Sequence, residues 1–328
     1  LLTAFPGGIV PSNLVGNDRY PDSLGPDSPT VLINMDTGEL VAHFAEIDVR
    51  EPDEFDKQAL YMRPATRLEG STRYAAAIKK TLKGREGNDL EIPAGFQAIV
   101  NDKQTKHSRL EAIRPRYDEI FDALSAHGID REDLVVAWDF TTASDDSMRR
   151  DLITARDLAL DMAGTNGANL SYTVETSEVR ADGFRKVVGT FSVPLMLTQG
   201  GKFIPGTKLE RDGRGLPDIV GMHPVPFTAM IPDCAASVEG GADVILYGHG
   251  LFGEHEQAAS GGPVDAARDL CAISIGTDMR GMSSMDVPNV LRALNEFNLA
   301  DEIFDVLVQG LVNHITLVQA CLLYTSPS

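Results

Sequence analysis

Apolar and polar positions alternate with a period of two in several short stretches before residue 240, and give way to unbroken apolar runs after Gly241. Residues 1–30 carry Pro6, Pro11, Pro21, Pro26 and Pro29 and predict irregular, extended chain. Val31-Leu32-Ile33 predicts a strand closed by a turn at Asp36-Thr37-Gly38. Gln58 to Arg63 and Arg73 to Lys79 predict strands joined by a turn at Glu69-Gly70-Ser71, and Gly84 to Asn88 is a further turn. Strands at such intervals suggest a β-sandwich. Ile113, Tyr117, Ile120, Phe121 and Leu124 share one helical face, which His127-Gly128 ends. Leu134 to Phe140 predicts a strand with Val136, Trp138 and Phe140 on one side. A second helix, capped by Ser144, carries Met148, Leu152, Ala155, Ala159 and Met162 and stops at Gly164. Tyr172 and Val174 alternate, Asp182-Gly183 signals a hairpin, and Val187 to Leu197 returns. Pro217, Pro224, Pro226 and Pro232 predict a boundary.

Beyond Gly241, Asp243 to Tyr247 and Ala272 to Ile275 are short apolar runs, as buried parallel strands should be. A helix within 256–270, with Ala266, Ala267 and Leu270, completes a strand–helix–strand unit. A long helix follows, with Ile303, Val306, Leu307, Gly310, Leu311, Ile315 and Val318 on one face. Two parallel strands do not stand alone, so this domain reads as unfinished. The predicted organisation is an extended segment (1–30), a β-rich domain with an inserted helix (31–142), a helical linker (143–168), a β-hairpin region (169–240) and the start of an α/β domain (241–320).

The chain holds 48 acidic against 29 basic residues, a net charge of −19. Such a field repels phosphate backbones and anionic lipid, so no nucleic-acid partner is expected. No apolar run approaches the roughly 20 residues of a membrane span. Cys234 and Cys271 would pair if the protein is exported, or lie as two separate buried thiols. No cofactor is implied. Glu254-His255-Glu256 lacks the second histidine of a zinc-protease helix, because Ala259 stands in that place. No Gly-x-Gly-x-x-Gly or P-loop opens a helix.

The segment Tyr247-Gly248-His249-Gly250-Leu251-Phe252-Gly253 directly follows an apolar run. Glycines let backbone N–H groups turn into a cleft, which is what an oxyanion requires. Asp278-Met279-Arg280-Gly281-Met282-Ser283 follows the next run. The two segments resemble the oxyanion loop and the Asp-x-Arg-Gly-x-Gly-x-Ser turn of α/β hydrolases. Further phrases are Arg63-Pro64 through Tyr74, Val136 through Thr142, Gly189-Thr190-Phe191 with Pro194, Pro226-Phe227 with Ile231-Pro232, and Gln309-Gly310 with Asn313. In that order they resemble bacterial secreted or surface hydrolases of esterase or lipase type, in which an immunoglobulin-like, lipase-associated region precedes the α/β hydrolase domain. The resemblance implies oxyanion donors at Leu251 N–H and Phe252 N–H, shaped by His249 and Gly250. It implies a structural turn at Asp278, Arg280 and Gly281, a small ester or lipid substrate, and an exported location. Phe252 would line the acyl pocket.

The departure from that family is the triad. No Gly-x-Ser-x-Gly exists; Ser283 has Met285 where the second glycine belongs, and Ser260 has Ala258 before it. The terminal Cys321 to Ser328 resembles a translated adapter sequence. The natural protein is therefore expected to continue past residue 320, with nucleophile, acid and histidine beyond it, and the present chain to be inactive. The rival reading is a non-catalytic surface or binding module on a degenerate scaffold. A peptidase or acyltransferase is a third.

Overall fold

The structure is a computed structural model and describes residues 1–50 and 53–322. The chain forms two units, Leu1–Asp145 and Asp146–Ser328.

The first unit contains two three-stranded antiparallel sheets. One orders β1 (Leu2–Ala4), β4 (Ala59–Pro64) and β3 (His43–Ile47); the other orders β2 (Thr30–Asn34), β5 (Arg73–Lys79) and β6 (Leu134–Thr141). Leu60, Met62 and Ala45 of the first sheet meet Leu32, Tyr74, Ala76 and Ile78 of the second in one core. The opposite face of the second sheet carries α1 (Ala94–Val100) and α2 (Ser108–Ser125), through Phe96, Ile99, Ile120, Phe121 and Leu124 against Val31, Ile33, Ala75 and Ala77. A sheet covered on both faces needs unbroken apolar strands, which explains Val31-Leu32-Ile33 and Ala75-Ala76-Ala77-Ile78. The turn at 69–71 does not make a hairpin: β4 and β5 belong to different sheets, so it carries the chain from one to the other. The region expected over 31–142 to be an immunoglobulin-like β-rich domain with an inserted helix thus forms two three-stranded sheets, completed by β1, with α1 and α2 on the outer face of the second.

The second unit begins with α3 (Asp145–Ala163), which buries Ala155, Ala159 and Ala163. Its sheet orders β10 (Val244–Tyr247), β11 (Ile273–Thr277), β9 (Gly221–Pro232), β8 (Phe184–Leu195) and β7 (Tyr172–Arg180). The α/β hydrolase domain expected over 241–320 is not what forms. β10 and β11 are parallel and joined by α4 (Gly262–Leu270), but β11 runs antiparallel to β9, and β9–β8 and β8–β7 are antiparallel too. The expected parallel unit is thus one edge of a mostly antiparallel sheet, and regions 169–240 and 241–320 share that sheet.

The prolines account for the misreading. Pro224 and Pro226 read as a boundary, yet lie in β9 opposite Ser192 and Thr190. β11 pairs only with Phe227–Met230, so at both prolines β9 has one neighbour and the missing N–H costs no ladder bond.

α5 (Val287–Asn295) and α6 (Asp301–Leu322) complete the unit. Leu317 of α6 packs on Phe191, Phe227 and Ile275, while Val264 and Ala267 of α4 pack with Phe184 and Met230. Phe297–Leu322 is long and apolar enough to cross a membrane by length and composition. Within it Glu302, Gln309 and Asn313 are buried. Residues 323–328, most of the suspected foreign octapeptide, lie outside the described residues. Cys234 and Cys271 form a disulfide, with Cα atoms 5.7 Å apart.

Candidate functional site

The loops after β10 and β11 leave the same end of a parallel pair and are laced together. Met282 O accepts from Phe252 N–H at 2.6 Å, and Gly253 O accepts from Ser284 N–H at 3.0 Å. Gly253 and Ser283 form a parallel bridge. Asp278 Oδ1 accepts from His255 N–H at 2.7 Å. His255 Nδ1 in turn lies 2.7 Å from Thr228 Oγ1.

His249 is buried between the loops. Its Nε2 accepts from Met279 N–H at 2.8 Å, so the ring proton sits on Nδ1, which donates to Gly250 O at 2.8 Å. It is a brace that fixes loop geometry. Gly250 N–H reaches Gln257 Oε1 at 3.3 Å. Leu251 N–H has no hydrogen-bond partner among the described residues, and Leu251 is 67% exposed. Phe252 adopts φ +60 and spends its N–H on Met282 O, so it is not available as the second oxyanion donor.

Arg280 holds the second loop from beneath. Its Nε donates to Asp286 Oδ1 at 3.2 Å and its Nη1 to Gly201 O at 2.6 Å. The guanidinium lies 3.7 Å from the centre of the Phe203 ring. Burial lowers its pKa, against the opposing pull of Asp286. Asp286 also accepts from Gly281 N–H at 2.7 Å and Ser283 Oγ at 2.6 Å, and with Ser283 forms a capping box. Asp286 was not singled out in the sequence; the Ser283-x-x-Asp286 spacing was the available signal. Ser283 is 0% exposed, so it is no nucleophile.

α6 supplies a buried polar row. Gln309 Nε2 donates to Asn313 Oδ1 at 2.9 Å, and Asn313 Nδ2 donates to Asp278 O at 3.2 Å. Gln309 also closes on Met196 N–H and Pro194 O. Gly310 lets the helix approach, since a Cβ there would stand 2.5 Å from Arg280 O. His314 Nδ1 donates to Gly310 O at 3.1 Å, and among the described residues its buried Nε2 makes no hydrogen bond. Burial lowers the His314 pKa and keeps the ring neutral. A small cavity of about 30 Å³ lies among Phe203, His223, Asp278, Arg280, Gln309 and Asn313, beside the unpartnered Arg280 Nη2. That is room for a water.

On the same sheet face, an apolar groove of about 370 Å³ is bounded by Val174, Val187, Phe227, Val244, Ile275 and Leu317. Phe252 does not line it. Among the described residues no group of three His, Cys, Asp or Glu side chains is placed to hold a metal ion. The predicted residues His249, Gly250, Leu251, Asp278, Arg280 and Gly281 therefore converge on one junction. Comparison of the chain with protein-family models, curated proteins and solved structures returns no match.

Proposed function

We propose that this junction is the oxyanion-binding side of a carboxylic ester or lipid hydrolase. The observation that carries the reading is the N–H of Leu251, without a partner among the described residues, between Gly250 and Phe252 whose N–H groups are engaged. A donor held rigid before reaction is what a developing oxyanion rewards. The apolar groove beside α6 suits an acyl chain. Fold does not fix chemistry, so the mixed sheet leaves this proposal open.

The reaction would be acyl transfer through a serine ester. No nucleophile turn occurs in the 328 residues, so in this proposal these residues supply the oxyanion side and not the triad. Export belongs to the same proposal, supported by the Cys234–Cys271 bond. The test is p-nitrophenyl butyrate hydrolysis by residues 1–328 and by the product of the complete reading frame. We expect no turnover by the former. We expect Leu251→Pro to lower kcat of the latter by about 10²–10³-fold, as loss of one oxyanion donor does. Serine-dependent turnover by residues 1–328 would overturn the expected inactivity, and an unchanged kcat in Leu251→Pro would sink the oxyanion assignment.

The engaged Phe252 N–H favours a second reading, a non-catalytic binding module. A complete reading frame with no esterase activity, and no Gly-x-Ser-x-Gly, would establish it.

A further inference from the structure

The first unit contains a cavity of about 410 Å³, within the range of small-molecule sites. Its wall includes Val31 and Leu40 on the apolar side, and Lys79, Lys80, His127 and Asp133 on the polar side. Lys79 is the unusual member. It ends β5 at an irregular step, where the pairing passes from Val136 to Leu134. Such irregularities re-aim a side chain. Lys79 is only 8% exposed.

An ammonium has three N–H donors. One goes to Pro26 O at 2.6 Å. Among the described residues Lys79 has no other side-chain hydrogen bond and no ion pair. Asp27 and Asp133 act on it only through space. Desolvation pushes its pKa below the usual lysine range, and those two carboxylates only partly offset the shift. Buried charges in folded proteins are paired, because desolvation without a counter-ion is costly. Here, among the described residues, neither carboxylate stands within ion-pair distance, and a cavity stands beside the cation.

We propose that this cavity binds a short-chain monocarboxylate, with its carboxylate on Lys79 and its hydrocarbon tail against Val31 and Leu40. The two remaining N–H groups of Lys79 match the acceptor oxygens of one carboxylate. Lys80, on the same wall, adds a second positive charge. A dianion is disfavoured by Asp133, which shares the wall, and no arginine fork lines the cavity. The site lies in the first unit and does not depend on the hydrolase reading of the second.

The test is calorimetric titration of the 328-residue protein with hexanoate, acetate and inorganic phosphate. Saturable hexanoate binding, stronger than that of acetate or phosphate, is expected. Lys79→Met, which keeps the length and removes the charge, should weaken hexanoate binding at least about tenfold. It should also leave the unliganded protein with a melting temperature equal to or above that of the parent. Leu40→Trp adds bulk to the apolar wall and leaves the lysine in place, and should weaken hexanoate binding even if Lys79→Met fails to fold. Absence of hexanoate binding, equal binding by parent and Leu40→Trp or Lys79→Met, or preference for phosphate would each overturn the proposal.

Discussion

Arg280 in the second unit is buried with a carboxylate, a carbonyl and an aromatic ring around its guanidinium, whereas Lys79 in the first is buried with one carbonyl. The difference separates structural charge from charge awaiting a partner. Around Arg280 the donors and acceptors belong to the chain itself: Asp286 serves Arg280, Gly281 and Ser283 at once. Apart from Arg280 Nη2, which faces room for one water, the network is satisfied from within, so it holds loops in place and gains little from a ligand. Around Lys79 the chain offers one carbonyl and, among the described residues, no carboxylate within ion-pair distance, which leaves two N–H donors for a partner from outside.

Breaking the Arg280 side of this comparison gives the largest effect. Asp286→Ala leaves a buried guanidinium without its counter-ion and three donors without an acceptor. A loss of about 3–5 kcal/mol is expected in urea unfolding. The double variant Arg280→Met, Asp286→Leu should cost clearly less than Asp286→Ala alone, because it strands no charge. If the single and double variants lose equally, the pair acts by packing and the contrast with Lys79 fails. Next in size is the covalent tie of the same unit. Cys234 and Cys271 are 37 residues apart in sequence, and reduction of their bond should cost about 3–4 kcal/mol. A melting temperature unmoved by reductant would rule that out. Smaller again is Gly310→Ala. Its Cβ would press on Arg280 O, so the second loop or α6 must shift, at about 1–3 kcal/mol. Faster amide exchange over residues 278–283 is the local readout.

The two units also differ in how far the chain disclosed them. Strands β2, β5 and β6 were legible because a doubly covered sheet demands continuous apolar residues, and Val31 to Ile33, Tyr74 to Ile78 and Leu134 to Trp138 provide them. The turn at 69–71 was legible as a turn but not as a crossing between sheets, since local residues do not encode which strand lies alongside. β9 was hidden by prolines that are tolerated only because β11 stops short of them. The buried face of α6 was shifted from the apolar stripe, because Gln309 and Asn313 turn inward to carbonyls that no periodicity reveals. His249, Arg280 and Gly281 were legible from motif. Lys79 was not, because a lysine ending a strand looks solvated until its surroundings are known.

The smallest expected effect is a shared response to acid. His43 is fully buried in the first unit, with Nε2 2.9 Å from Thr30 Oγ1 and Nδ1 2.9 Å from Val41 O. His314 in the second has one bonded nitrogen. Desolvation lowers both pKa values, outweighing the backbone bonds that raise them. The unfolded chain, titrating near 6.5, therefore binds more protons than the folded one between that value and the depressed pKa. Stability is fully present above about pH 6.5 and falls as pH drops through that window. His43→Gln and His314→Gln should each flatten part of the slope. The His43 share should be the larger, because its protonated Nε2 would force the buried Thr30 hydroxyl to switch from donating to accepting. A slope unchanged in both variants would mean that the acid response comes from carboxylates such as Asp139, held below the usual range by Arg73 and Arg116 despite burial.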